Sequence, residues 1–297
     1  MITLRQDVLS GDWVSMNGGR QSRPITHAGT VCPFCPGPEG EVGEILFDVA
    51  VFENKFPSLH HPGNAEIIVY SPDHHDDLGY MPVSRVDLIW QVWAERIRVL
   101  EQEEGTKAVF VFENRGQKAG ATIAHPHGQI YAYPYIPARI AREMPRFIPN
   151  CPLCASGHSD AILLLHGNFW RLEVPAAMRM PYQVQLVPLR HIPGLSDVTP
   201  DERAEGVQMM QAMLRTYDRF FGFRTALVMG LNQAPVTRLP YHFRWDFLPI
   251  DRGGGKIKYL AGSELAMGAF VVDMVPEQVH DRLGPILDRE YHEEVNK

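Results

Sequence analysis

No uninterrupted apolar run in the 297-residue sequence approaches the roughly 20 residues that a helix needs to cross a bilayer. The opening Met1-Ile2-Thr3-Leu4-Arg5-Gln6-Asp7 has no apolar segment of the kind that directs secretion. The expectation is a cytoplasmic protein without a membrane partner. An excess of basic charge is also missing. Lys and Arg number 28 against 35 Asp and Glu, a net charge of -7. Such a surface has no footprint for nucleic acid, so a phosphate ligand must be met by locally placed cations. Low-complexity segments are absent too. Hydrophobic residues at 45% and charged residues at 21% are ordinary for a globular protein, and a chain of this length buries about three quarters of its unfolded surface without covalent staples.

Cysteine is scarce, but its four copies are ordered. They form Cys32-Pro33-Phe34-Cys35 and Cys151-Pro152-Leu153-Cys154, two versions of one tetrapeptide. Other landmarks repeat with them: His191 follows His74, and His242 follows His125, each by 117 positions. Two helix-like stretches, 83–104 and 200–221, are closed by Gly105 and Gly222 at the same shift. Each glycine is followed by a strand-like apolar run, 107–112 and 225–229. An internal duplication explains all of these. The fold class predicted is α+β, with two related halves, 1–140 and 141–297, each a mostly antiparallel sheet with a helix. Segment 134–150, with four prolines, reads as the connection, and Ile140, Met144 and Phe147 give it enough apolar character for a short packed helix.

Structural zinc takes four Cys or His ligands, and a two-residue gap lets both thiolates reach one ion. The first half offers Cys32, Cys35, His74 and His125, the second Cys151, Cys154, His191 and His242. Disulfides do not suit the expected compartment, and a redox pair leaves the repeated histidines unexplained. His75 stands beside His74 as an alternative ligand, and His191 is also readable as a surface residue. Two structural zinc ions per chain are expected, since a closed set of four ligands has no open position for substrate.

Chemistry concentrates in Gly120-Ala121-Thr122-Ile123-Ala124-His125-Pro126-His127-Gly128-Gln129-Ile130. On an extended strand alternate residues share a face, so His125, His127 and Gln129 are expected to line up. A neutral imidazole can attack an α-phosphorus and divide one displacement into two easier ones. His127 is the predicted nucleophile. Gln129 would donate to a phosphoryl oxygen, and Gly128 is expected to give a nucleotide room to approach. The second half has Arg244 and Asp246 at the corresponding positions, so one active centre per chain follows. Arg244 is readable as structural or as phosphate-facing.

The segments 22–24 (SRP), 32–35 (CPFC), 51–57 (VFENKFP), 71–74 (SPDH), 112–116 (FENRG), 125–129 (HPHGQ) and 258–264 (KYLAGSE) together resemble the galactose-1-phosphate uridylyltransferase family of the histidine-triad superfamily. The resemblance covers most of the chain. It implies two histidine-triad-like halves forming a pseudo-dimer, and a nucleoside monophosphate carried covalently on His127 between a nucleoside diphosphate sugar and a sugar 1-phosphate. It further implies zinc on His74 and His125 with the first cysteine pair, and nucleotide contacts from Asn54, Asn114, Thr122 and Gln129. Arg20 and Arg23 would lie near phosphate, Lys258 and Glu264 near the sugar, and the active sites of a homodimer would receive residues from both subunits.

The chain departs from the galactose enzymes at three places. Ser263 replaces a tyrosine before the late glutamate, Phe270 replaces a glutamine after it, and Ile123-Ala124 replaces the usual Asn-Pro. A phosphorylase of ADP-sugars or dinucleoside polyphosphates using the same His127 is the alternative. A zinc-stabilised nucleotide-binding module without turnover is the alternative of another class, disfavoured by the intact His127 and Gln129.

Overall fold

The computed structural model describes residues 2–19, 31–59, 64–154 and 160–295. Arg20 and Arg23 lie outside the described residues. An N-terminal hairpin pairs β1 (Ile2–Gln6) with β2 (Trp13–Asn17). The rest of the first half contains β3 (Ala50–Glu53), β4 (Asn64–Val69), helix α1 (Val83–Glu101), β5 (Ala108–Arg115) and β6 (His127–Tyr133). The short α2 (Ala138–Glu143) lies in the proline-rich connection, as its apolar residues suggested. The second half contains β7 (Ile162–His166), β8 (Trp170–Val174), β9 (Val184–Pro188), α3 (Pro200–Phe221), β10 (Leu227–Asn232) and β11 (Arg244–Pro249). A small hairpin of β12 (Asp251–Gly253) and β13 (Lys256–Ile257) precedes α4 (Gly262–Met267) and α5 (Pro276–Val295).

Helix α3 has sharp ends for local reasons. The Thr199 side chain accepts from the Glu202 amide while the Glu202 side chain accepts from the Thr199 amide, which satisfies two donors that an uncapped helix end exposes. Pro200 suits the first turn, and Gly222 ends the helix at φ +80°, a conformation glycine adopts without steric cost.

Nine strands form one antiparallel sheet in the order β3-β4-β6-β5-β10-β11-β9-β8-β7. From the central pair β5–β10 outward, the two sides run β6, β4, β3 and β11, β9, β8, with β7 added at the second edge. The strand order is therefore palindromic about β5–β10, consistent with the repeat in the sequence, and all nine strands share one continuous sheet. Helices α1, α3 and α5 contribute to a single core with one sheet face. Its centre is aromatic: Trp90, Trp93, Trp170 and Trp245 are fully buried and pack ring to ring. Gly206 in α3 permits this, because a Cβ there would come within 2.9 Å of both Trp90 and Trp170. The opposite face is covered by two smaller clusters. Phe34, Phe47 and Ile123 lie over Ile67 and Val69, while Ile140, Phe147 and Tyr241 pack together at the connection.

Candidate active site and metal centres

His127 is the first residue of β6, and Ile130 and Ala132 of that strand enter the helix-side core. His127 and Gln129, with the opposite alternation, face the other side. His125 does not line up with them. It precedes the strand, and its ring turns toward the first cysteine pair, because Pro126 intervenes before the extended run begins. The shared face of three polar groups expected from spacing is thus a face of two, with His125 serving the neighbouring centre.

The His127 Nδ1 lies 2.8 Å from the His125 carbonyl oxygen. A carbonyl only accepts, so Nδ1 carries the proton and, in the neutral ring, the lone pair resides on Nε2. The Phe34 ring packs edge-on against His127 at 5.0 Å between centroids. Tyr131 donates its hydroxyl to Gln129 Oε1 at 3.3 Å, which makes the Gln129 Nε2 the donor end of that amide. Gly128 has a different purpose from the one expected. A Cβ there would overlap the Tyr70 hydroxyl and come within 3.3 Å of the Phe112 carbonyl. Tyr70 belongs to the helix-side core, so the glycine accommodates packing behind the strand rather than a ligand in front of it.

A cleft of about 610 Å³ opens beside His127, lined by Asn114, the loop Gly120–His127, Asp77 and Arg224, among others. Thr122 is part of its wall. Asn54, just after β3, accepts from Phe56 N through Oδ1, and its buried Nδ2 has no protein acceptor among the described residues. Lys258 and Glu264 do not line the cleft. They pair with each other at 2.6 Å, and Glu264 also accepts from the Ala261 amide at the start of α4. The Ser263 hydroxyl donates to the Ala269 carbonyl, and Arg179 stacks over Phe270 at 5.2 Å.

Both metal-ligand sets assemble. In each, the four ligand atoms lie within 4.8 Å of one another. The Cys35 Sγ is 3.5 Å from Nδ1 of both His74 and His125, and the Cys154 Sγ is 3.3 Å from Nδ1 of both His191 and His242. Ligand lengths near 2.3 Å to sulfur and 2.0 Å to nitrogen give a tetrahedral edge of about 3.5 Å, so the spacing suits one ion per set. His74, not His75, completes the first. The outer contacts are duplicated as well: His125 Nε2 donates to the Ser71 carbonyl at 2.7 Å and His242 Nε2 to the Pro188 carbonyl at 2.9 Å. These bonds direct each Nδ1 lone pair at the thiols. Burial lowers the pKa of both imidazoles, that of His242 to about 3, which keeps them neutral as metal ligation requires. The residues present fit a metal ion at both places.

Three features of the site were not anticipated. Phe34 is merely the residue between two cysteines until the fold brings it onto His127. Arg115 is buried and makes paired bonds to Asp77 and to Asp218, tying the loop that carries His74 to the end of β5 and to α3. Glu113, in the wall of the cleft, is pushed up to about pKa 8 by burial and by Asp77. Arg244 is resolved as an ion-paired buried residue that contacts Glu143.

A family model described as galactose-1-phosphate uridyl transferase, N-terminal domain, matches residues 52–137. The galactose-1-phosphate uridylyltransferase of Thermotoga maritima is 31% identical, with 95% of this chain and 98% of that protein covered. A solved uridylyltransferase structure superposes with a TM-score of 0.87 at 26% identity, covering 97% of this chain and 99% of that one. An ADP-glucose phosphorylase from Arabidopsis thaliana, solved with bound ADP-glucose, shares the fold at a TM-score of 0.77 and 21% identity, with 96% and 99% covered.

Proposed function

The chain belongs to the galactose-1-phosphate uridylyltransferase family, and on that premise we propose that it is a nucleotidyltransferase that moves a nucleoside monophosphate from a nucleoside diphosphate sugar to a sugar 1-phosphate through His127. The observation that carries the reading is the bond from His127 Nδ1 to the His125 carbonyl. In the first step Nε2 attacks the α-phosphorus, an N–P bond forms, and the P–O bond to the sugar 1-phosphate breaks. The leaving group departs as a phosphate monoester and needs no proton. Positive charge appears on the imidazole, where the Nδ1–H···O=C contact stabilises it. Gln129 Nε2 donates to a non-bridging oxygen as charge builds. An incoming sugar 1-phosphate then attacks the same phosphorus and expels neutral Nε2.

Asn54 and Asn114 would hold the nucleotide, with Thr122 beside them, and Arg20 and Arg23 its phosphates. Lys258 and Glu264 would serve the site of a second copy in a homodimer, a reading supported by the exposure of Tyr259, Leu265 and Met267 around them. The halves 1–140 and 141–297 would then have divided labour, the first carrying the nucleophile. Zinc would be held by Cys32, Cys35, His74 and His125, and again by Cys151, Cys154, His191 and His242. Bound zinc would supply rigidity, and through His125 it would fix the backbone carbonyl that orients His127. Metal analysis should find close to two zinc ions per chain; a count near one would remove the second site from the account.

An ADP-sugar phosphorylase activity is the second reading, favoured by the engagement of Ser263 with Ala269 and of Phe270 with Arg179 in place of sugar-facing polar groups. Initial rates with uracil and adenine nucleotide sugars, each paired with hexose 1-phosphates or inorganic phosphate, separate the two. Parallel reciprocal plots are expected for the productive pair, and intersecting plots would exclude the two-step route.

A further inference from the structure

The connection between the halves lays α2 over the second half at the counterpart of the His127 face. Arg244 and Asp246 stand 117 positions after His127 and Gln129, and Arg244 begins β11 as His127 begins β6. Trp245 and Phe247, which alternate with them, enter the helix-side core, so Arg244 and Asp246 face the same side of the sheet as His127. There the Glu143 carboxylate of α2 is gripped from three directions. Arg244 Nη2 donates to both of its oxygens at 2.9 Å, Arg139 Nε donates at 2.9 Å, and the Tyr241 hydroxyl donates at 2.5 Å. Arg244 and Tyr241 are buried. Asp246 accepts from Arg139, Gln185 and Asn232 at 2.6 to 2.9 Å. The guanidiniums of Arg139 and Arg244 thus face two carboxylates, with Arg179 within electrostatic reach of the same groups.

Two guanidinium groups and a phenol converging on one pair of oxygens is how proteins hold a phosphoryl group. We propose that Arg244 and Tyr241 of the second half, with Arg139 of the connecting helix α2, form an anion-binding pocket in which the Glu143 carboxylate occupies the place of a ligand's phosphoryl group. This pocket is independent of whether His127 carries a nucleotide. Burial alone would raise the Glu143 pKa, yet Arg244 and Arg139 hold it at about 2, so the grip is strong enough to keep the anion charged.

Removing the carboxylate should make the pocket more positive by one charge and leave space for a tetrahedral oxyanion. The test is the thermal midpoint of wild type, Glu143→Ala and Glu143→Gln in inorganic phosphate against chloride at matched ionic strength. Phosphate bound at about ten times its Kd should raise the Glu143→Ala midpoint by roughly 3 °C or more beyond any shift of the wild type. The Glu143→Gln protein, whose pocket is filled by an amide of the same shape, should shift only as the wild type does. A Glu143→Ala protein that folds only when phosphate is present gives the same answer. An equal shift in wild type and Glu143→Ala overturns the proposal, as does a Glu143→Gln shift as large as that of Glu143→Ala. Failure of Glu143→Ala to fold with and without phosphate also counts against it.

Discussion

At the scale of single residues, the site separates three neighbours that the sequence presents as one motif. His125 belongs to the first Cys/His cluster, His127 to the cleft, and Gly128 to the core behind both. The glycine gives a sharp prediction. Gly128→Ala forces a methyl against the Tyr70 hydroxyl and should destabilise the protein by about 1–3 kcal/mol. Tyr70→Phe removes that oxygen, so the double variant should recover part of the loss relative to the sum of the two single variants. Denaturant midpoints of the four proteins measure the coupling, and strict additivity would show that the contact is not the cause. The two Cys2His2 groups, each brought together by the structure, were legible as groups because metal binding demands particular side chains at particular spacings. The purpose of Gly128 was not, because it depends on Tyr70, a residue 58 positions earlier that only the pairing of β4 with β6 brings behind it. Phe34 and the buried Glu113 escaped for the same reason.

Among elements, α3 was readable because its apolar periodicity ends at Gly222, a local signal, while the capping box of Thr199 and Glu202 at its start went unread although it is equally local. The connection was readable only as a proline-rich segment with some apolar residues. Its contribution to the second half comes from charge meeting charge across about 100 positions, which no local pattern encodes. That contact makes α2 sensitive to acid. Unpaired, the Glu143 carboxyl titrates near 4.5; in the fold, against burial that would raise it, Arg244 and Arg139 lower it to about 2. A depressed carboxyl contributes stability above its unfolded pKa and loses that contribution as pH falls through the folded one. The midpoint difference between wild type and Glu143→Gln should therefore be full at pH 6 and shrink steadily from about pH 4.5 toward 2. A difference independent of pH across that window would mean that the pair is not formed.

Over the whole molecule, the palindromic strand order agrees with the repeat in the sequence, and the two sides differ at the strand start that carries His127. The palindromic sheet places two metal-ligand sets and two equivalent strand starts on one face, and only the first start carries a histidine. The shift of 117 positions is legible in the sequence, whereas the joining of the strands into a single sheet through β5 and β10 is visible only in the structure, because strand pairing between repeats has no sequence signature. One covalent carrier per chain is what the proposed role of His127 requires, and it is the central claim. Its most direct measurement is the intact mass of the protein after brief exposure to nucleoside diphosphate sugars without an acceptor, followed by peptide mapping under non-acidic conditions. The account predicts one added nucleoside monophosphate per chain, mapped to His127, absent from a His127→Ala protein that keeps its fold and metal. An adduct on any other residue, or full turnover by His127→Ala, would contradict it.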